Sequence, residues 1–184
     1  SPTQPFPTRP PPLHPAELTP DDAWGFTFWD RGKCREKIAS LRSEGIFTPP
    51  SLQGTVHYPG MVGGMNWGSV SIDPVRHLLV ANLLRVATEV RLIPREEFQA
   101  QFPGESVAPP FEPQIGTPYG LYRRPLLSPW GAPCNPPPWG TLVGIDLATG
   151  AVRWDVVLGT TRGLAPWPLW LALGAPNLGG SVVT

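Results

Sequence analysis

Asn66 and Trp67 stand in a glycine-rich stretch, GGMNWGSVSIDPVRHLLVAN (63–82), between segments that read as strands. A carboxamide can donate and accept at once, and flanking glycines let a ligand come close to the backbone. On the residues alone the plainer reading outweighs this one: Asn66 caps a turn and Trp67 packs a sheet, because Asn- and Gly-rich loops are usually turns. Other side chains able to do chemistry are less well grouped. His14, His57 and His77 are isolated, and a lone histidine is more often structural than a ligand or a base. Asp73 and Asp146 sit in tight turns, where capping outranks catalysis or metal binding. Arg123-Arg124 could meet an anionic group, although a solvated loop pair contributes little. Cys34 and Cys134 lack metal-type spacing, which argues against zinc, and their state stays open between two buried thiols and one disulfide. Trp130, Trp139, Trp167 and Trp170 could line a channel, but packing under loops is the commoner use. No catalytic residue and no metal ligand is assigned.

The elements that position these residues must come from an unusual composition. The 184 residues include 27 prolines and 20 glycines, together about a quarter of the chain, near the range of disordered sequences. Eight tryptophans and 41% hydrophobic residues oppose that reading and point to long ordered loops around short strands. Basic and acidic residues balance at 14 each, so no net field draws in nucleic acid. No signal peptide or membrane-spanning run is present; the apolar stretch from Leu164 to Ala175 is short and carries Pro166 and Pro168. The chain opens on Ser rather than Met and closes inside a strand-like Ser181–Thr184, so it is expected to be a segment of a longer protein.

Residues 1–45 read as an extended, Pro-rich run with a helix start at Thr19-Pro20-Asp21-Asp22. A helix is expected from about Lys33 to Glu44, with Ile38 and Leu41 facing inward. Residues 46–184 read as sheet: a strand at Gly54–Tyr58, a hairpin with Val70 and Ile72 before the Asp73–Arg76 turn and Leu78–Ala81 after it, and a strand at Gly180. Between them, 94–138 reads as an insertion longer than an ordinary loop, with an exposed helix start at Glu96-Glu97. Hairpins separated by long loops suggest the radial repetition of a propeller. Asp73 and Asp146 hold like places in their hairpins, with His77 where Gly150 stands and Ala81 where Trp154 stands.

The second hairpin, GIDLATGAVRW (144–154), closes itself through Asp146 and Gly150, which leaves Trp154 unexplained by local chemistry. This stretch resembles the tryptophan-docking motif of quinoprotein dehydrogenases, Ala-x-Asp-x-x-Thr-Gly-x-x-x-Trp, with Gly144 in place of the Ala. EGIFTPPS (44–51), GGMNWGSVSIDPVRHLLVAN (63–82), TPYGLYRRPLLSPWGAPCNPPPWGTL (117–142) and GAPNLGGSVVT (174–184) are similar to the C-terminal part of the membrane-bound glucose dehydrogenases that use pyrroloquinoline quinone. The adjacent-cysteine disulfide of the alcohol dehydrogenase branch is missing, which favours the glucose branch.

The resemblance implies an all-β fold: part of an eight-bladed quinoprotein propeller with long loops and one or two short N-terminal helices. In such a fold Trp154 holds its blade to the next. It further implies pyrroloquinoline quinone with Ca²⁺ or Mg²⁺, oxidation of glucose to gluconolactone, and electron delivery to ubiquinone. The implied location is the bacterial inner membrane, anchored by an N-terminal part outside this segment, with the propeller facing the periplasm. The family's catalytic Asp and quinone-contacting Lys fall upstream of residue 1, while Asn66 and Trp67 become cofactor-binding candidates. Two alternatives stand beside this: a non-catalytic propeller scaffold, against which the length of the 94–139 insertion counts, and a related quinoprotein acting on another sugar or polyol.

Overall fold

Asp73 and Asp146 end strands in the same way, and the two hairpins they close turn out to be halves of one sheet. A computed structural model describes residues 3, 5–61, 63–104 and 107–184; residues 1, 2 and 4 of the Pro-rich run, and 105–106 of the insertion, lie outside the described residues. In chain order the elements are α1 (Phe28–Ala39), β1 (Thr55–His57), β2 (Val70–Asp73), β3 (Leu78–Leu84), β4 (Thr88–Pro94), α2 (Arg95–Gln101), β5 (Phe111–Glu112), β6 (Tyr119–Pro125), β7 (Gly140–Asp146) and β8 (Val152–Val157). Contacts divide the chain into two compact units, one drawn from 1–15, 62–85 and 137–184, the other from 16–61 and 86–136.

The first unit is built on an antiparallel sheet of order β2-β3-β7-β8. Leu78 pairs with Asp146 and Leu84 with Gly140, so the Asp73 and Asp146 turns lie side by side, joined by a bond from Leu147 N–H to His77 O of 2.9 Å. The turn chemistry repeats. Asp73 Oδ1 accepts from Val75 and Arg76 N–H at 3.0 and 2.9 Å, and Asp146 Oδ1 from Ala148 and Thr149 N–H at 2.9 and 2.8 Å. His77, at the place of Gly150, takes the same left-handed backbone (φ 51° against 71°). The radial-repeat expectation is therefore corrected for these two hairpins: they form one four-stranded sheet instead of separate blades. Ala81, Leu83, Val143 and Ile145 are its apolar centre. No strand forms at Gly180; Ser181 is tied to Ser71 and to Val80 O through side-chain bonds.

The second unit shows that the insertion is not a loop. Its sheet has the order β1-β4-β6-β5, all neighbours antiparallel. Arg123 and Arg124 lie on β6 and pair with Glu112 and Glu89 instead of standing in a solvated loop. The helix expected to start at Glu96-Glu97 forms as α2, with both glutamates in its first turn, so helices are not confined to the N-terminal part. Helix α1 begins five residues before the expected start, because Thr27 is a better boundary than any later residue: its hydroxyl accepts from Asp30 N–H at 3.1 Å. Ile38 is buried as expected, and Leu41 packs on the same core with Leu18, Val56, Ala87 and Leu126. Cys34 and Cys134 close a disulfide inside that core, both sulfurs fully buried.

Candidate functional site

The Asn66-Trp67 loop enters β2 and belongs to the first unit. Asn66 does what a turn residue does: its Oδ1 accepts from Trp67 N–H at 2.7 Å and its carbonyl from Ser69 N–H at 2.9 Å. Trp67, by contrast, packs no sheet. It is 97% exposed, an expensive way to place a large apolar ring unless something lies against it.

The glycines of the loop are used by the chain itself. A Cβ on Gly64 would lie 2.4 Å from His14 Nε2, and a Cβ on Gly68 would lie 2.1 Å from Gly180 N. Gly64 O also accepts from Leu84 N–H at 2.7 Å, which ties the loop to the end of β3. Beyond Gly68, Asn82 is buried and its Nδ2 donates to Asn177 O and Gly179 O at 2.8 and 2.6 Å. The loop is thus clamped on both sides of Asn66-Trp67, and the exposed indole is mounted on a fixed base.

Nothing in the sequence foreshadowed His14 as a clamp, since it stands in a Pro-rich run fifty residues from Gly64. Both of its ring nitrogens are buried without a hydrogen-bond partner among the described residues. Burial, and then the nearby Arg85 guanidinium, push its pKa down to about 4, against a smaller raising effect of Asp155. The ring is therefore neutral over the working range, as its setting requires. Arg85 itself pairs with Asp155 at 2.6 Å.

The remaining candidates settle into structural roles. Asp146 Oδ2 accepts from Arg153 Nε at 2.9 Å, and this pairing, with the turn N–H groups, holds the carboxyl well below the usual carboxylate range. Asp73 is lowered in the same way by Arg76. Arg153 reaches back because it is the extra residue of a bulge: Gly144 pairs with Trp154 but Ile145 with Val152. Trp154 then lies across Gly144, where a Cβ would be 2.3 Å from its Cε2. The contact that the structure gives this ring is inside its own sheet. Of the four loop tryptophans only Trp139 is buried; Trp130, Trp167 and Trp170 are exposed. His57 sits on β1, where burial lowers its pKa.

A planar carboxylated cofactor fits this loop in part. Trp67 offers an open aromatic face, and the Asn66 carboxamide, whose oxygen faces Trp67 N–H, carries a donor end suited to a carboxylate or quinone oxygen. A divalent metal does not find its ligands here: among the described residues no three His, Cys, Asp or Glu side chains converge. Nor is any helix among them long and apolar enough to cross a membrane.

Comparison with known proteins identifies the family along the whole chain. The glucose/ethanol/alcohol dehydrogenase β-propeller domain family, labelled PQQ, matches residues 1–184. The chain is 38% identical to a quinoprotein glucose dehydrogenase of Escherichia coli (strain K12) and 38% identical to a protein of Xanthomonas campestris pv. juglandis named "probable quinate dehydrogenase (quinone)". It is 39% identical to the glycerol dehydrogenase large subunit of Gluconobacter oxydans (strain 621H). All of this chain is covered in each case, but only 24%, 24% and 27% of those proteins, so the chain spans about a quarter of their length. No solved structure matches.

Proposed function

The chain belongs to the pyrroloquinoline-quinone dehydrogenase β-propeller family, and on that premise we propose that it is a segment of a membrane-bound glucose dehydrogenase. Similarity along the whole chain to quinoprotein dehydrogenases is the observation that carries this reading. The non-catalytic scaffold draws no support from these relatives, which are named as dehydrogenases. In the proposed parent, an eight-bladed propeller facing the periplasm converts glucose to gluconolactone and passes electrons to ubiquinone, with Ca²⁺ or Mg²⁺ held by residues outside this segment. When bound, pyrroloquinoline quinone supplies the two-electron acceptor for the sugar C1–H. This chain's own contribution is binding: Trp67 gives an aromatic face to a flat cofactor, and the Asn66 carboxamide gives a donor to one of its oxygens. His14, Gly64 and Gly68 keep that loop in place and shield its inner side from water.

A disulfide buried in the second unit supports an oxidising compartment such as the periplasm. Glucose is the first substrate to test, and glycerol and quinate are the second reading, because relatives named for those substrates match equally well. A dye-linked assay of the full-length protein, reconstituted with the quinone and Ca²⁺, decides between them. Glucose is expected to be oxidised fastest. Faster turnover of glycerol or quinate would move the assignment to a related polyol or cyclic-acid dehydrogenase, and no turnover of any of the three would remove it. The isolated 184-residue chain is expected to be inactive in the same assay, since the family's base and Lys are proposed to lie outside it.

A further inference from the structure

Within the second unit a cleft of about 520 Å³ opens between α1 and the segment that leaves β6. Three of the side chains lining it are cations, Lys33, Lys37 and Arg124, and none is an acid. Pro125, Leu127 and Pro129 make the rest of the wall largely apolar. Simple spacing gathers the charges: Lys33 and Lys37, four residues apart, share one face of α1, and Arg124 stands near the end of β6.

These cations are incompletely neutralised from within. Lys33 Nζ meets Glu36 Oε2 at 2.7 Å, in a pair exposed to solvent and therefore weak. Lys37 and Arg124 share a single carboxylate, Glu89, which faces Arg124 across the β4–β6 pairing. Its Oε2 lies 3.4 Å from Lys37 Nζ and 3.8 Å from Arg124 Nε, both long for charge-assisted contacts. Burial lowers the Lys37 pKa, Glu89 restores part of it and Arg124 lowers it again, a cost that an incoming anion relieves. Arg124 is held ready: its guanidinium lies 5.5 Å from the centre of the Tyr122 ring, which Arg91 covers at 5.4 Å. Whereas Arg123 beside it is bound to Glu112, the Arg124 fork makes no hydrogen bond among the described residues. Ser128 adds a donor, since its Oγ accepts from Trp130 and Ala132 N–H at 3.3 Å each and leaves the O–H to give.

The geometry points to a binding site for an organic oxyanion, a carboxylate or phosphate monoester on a small body, seated among Lys33, Lys37, Arg124 and Ser128. A planar or tetrahedral oxyanion suits a fixed guanidinium fork flanked by two ammonium groups. A bare inorganic ion would leave most of the cleft empty, and the proline and leucine wall calls for carbon against it. The cleft belongs to the second unit and the Asn66-Trp67 loop to the first, so this site does not rest on the quinone reading.

The test is isothermal titration calorimetry of the full-length protein with benzoate and with phenyl phosphate. These share an apolar body and differ in the anionic head, and neither offers an alcohol to oxidise. At least one should bind, more weakly as salt is raised, and the tighter of the two identifies the head group. Arg124→Gln and Lys37→Gln should each lower that affinity by about tenfold or more. Arg124→Lys, which keeps the charge and loses the fork, should recover only part of it. Lys37 and Arg124 also meet Glu89, so Lys33→Gln guards against a failure to fold: its one partner is the exposed Glu36, and it should weaken binding at native melting temperature. Absence of binding of both anions to the native protein would overturn the site. Affinity unchanged in Lys33→Gln and Arg124→Gln would overturn it as well, by placing the anion elsewhere.

Discussion

Trp154 stacks on a glycine of its own sheet. The motif it completes implies a ring that reaches the next blade, yet its close neighbour is Gly144, on the strand beside its own. Gly144→Ala should therefore cost about 1–3 kcal/mol through overpacking. Trp154→Ala should cost about 1–2 kcal/mol, below a core tryptophan because the ring is only half-buried. The double variant should lose less than the sum, and urea unfolding of all three measures that coupling. Strict additivity would mean the ring spends its energy elsewhere. His14 gives a second residue-scale expectation. Its folded pKa of about 4 lies below its ordinary 6.5, so the folded state binds fewer protons. The stability owed to the neutral ring is whole above pH 6.5 and is lost as pH falls through about 4. Asp73 and Asp146, whose pKa values are also lowered, titrate below that window. His14→Phe should flatten stability against pH between 6.5 and 4; an unchanged slope would place the titration on another group.

At the scale of elements, the hairpins were legible because their turns are closed by local bonds: Asp73 and Asp146 cap in sequence what they cap in space. Partnership between the hairpins was not, since a register such as Leu83 with Thr141 joins residues nearly sixty apart and no local pattern encodes it. The same holds for β4 and β6, which alternate weakly and find each other across the insertion. Helix α1 lies N-terminal to the expected Lys33–Glu44 because it starts at the Thr27 cap and closes at Ser40. The disulfide joins α1 to the segment after β6 across 100 residues, a pairing that spacing alone leaves open. Replacing Cys34 and Cys134 together by Ala should lower the stability of the second unit by about 2–5 kcal/mol. The reading is a drop in melting temperature that the native protein reproduces on full reduction. Equal stability of oxidised and reduced protein would show the core alone holds α1.

For the whole molecule, the sheet and its clamps matter because they fix one small loop. Composition and motif pointed to Asn66-Trp67, but not to its setting: a fully presented indole with His14 behind one side of the loop and Gly180 behind the other. Those contacts tie residues 14, 64, 68 and 180, distances over which sequence reading is blind. The central claim is that this loop holds the quinone, and its most direct test is a titration of full-length apoprotein with pyrroloquinoline quinone, followed by tryptophan quenching, for the native, Asn66→Ala and Trp67→Ala forms. Loss of the stacking face or of a buried hydrogen bond should each weaken binding by about 1–3 kcal/mol, with melting temperature unchanged because Trp67 supports no core. Native affinity in both variants would contradict the account and return Asn66 to a turn residue.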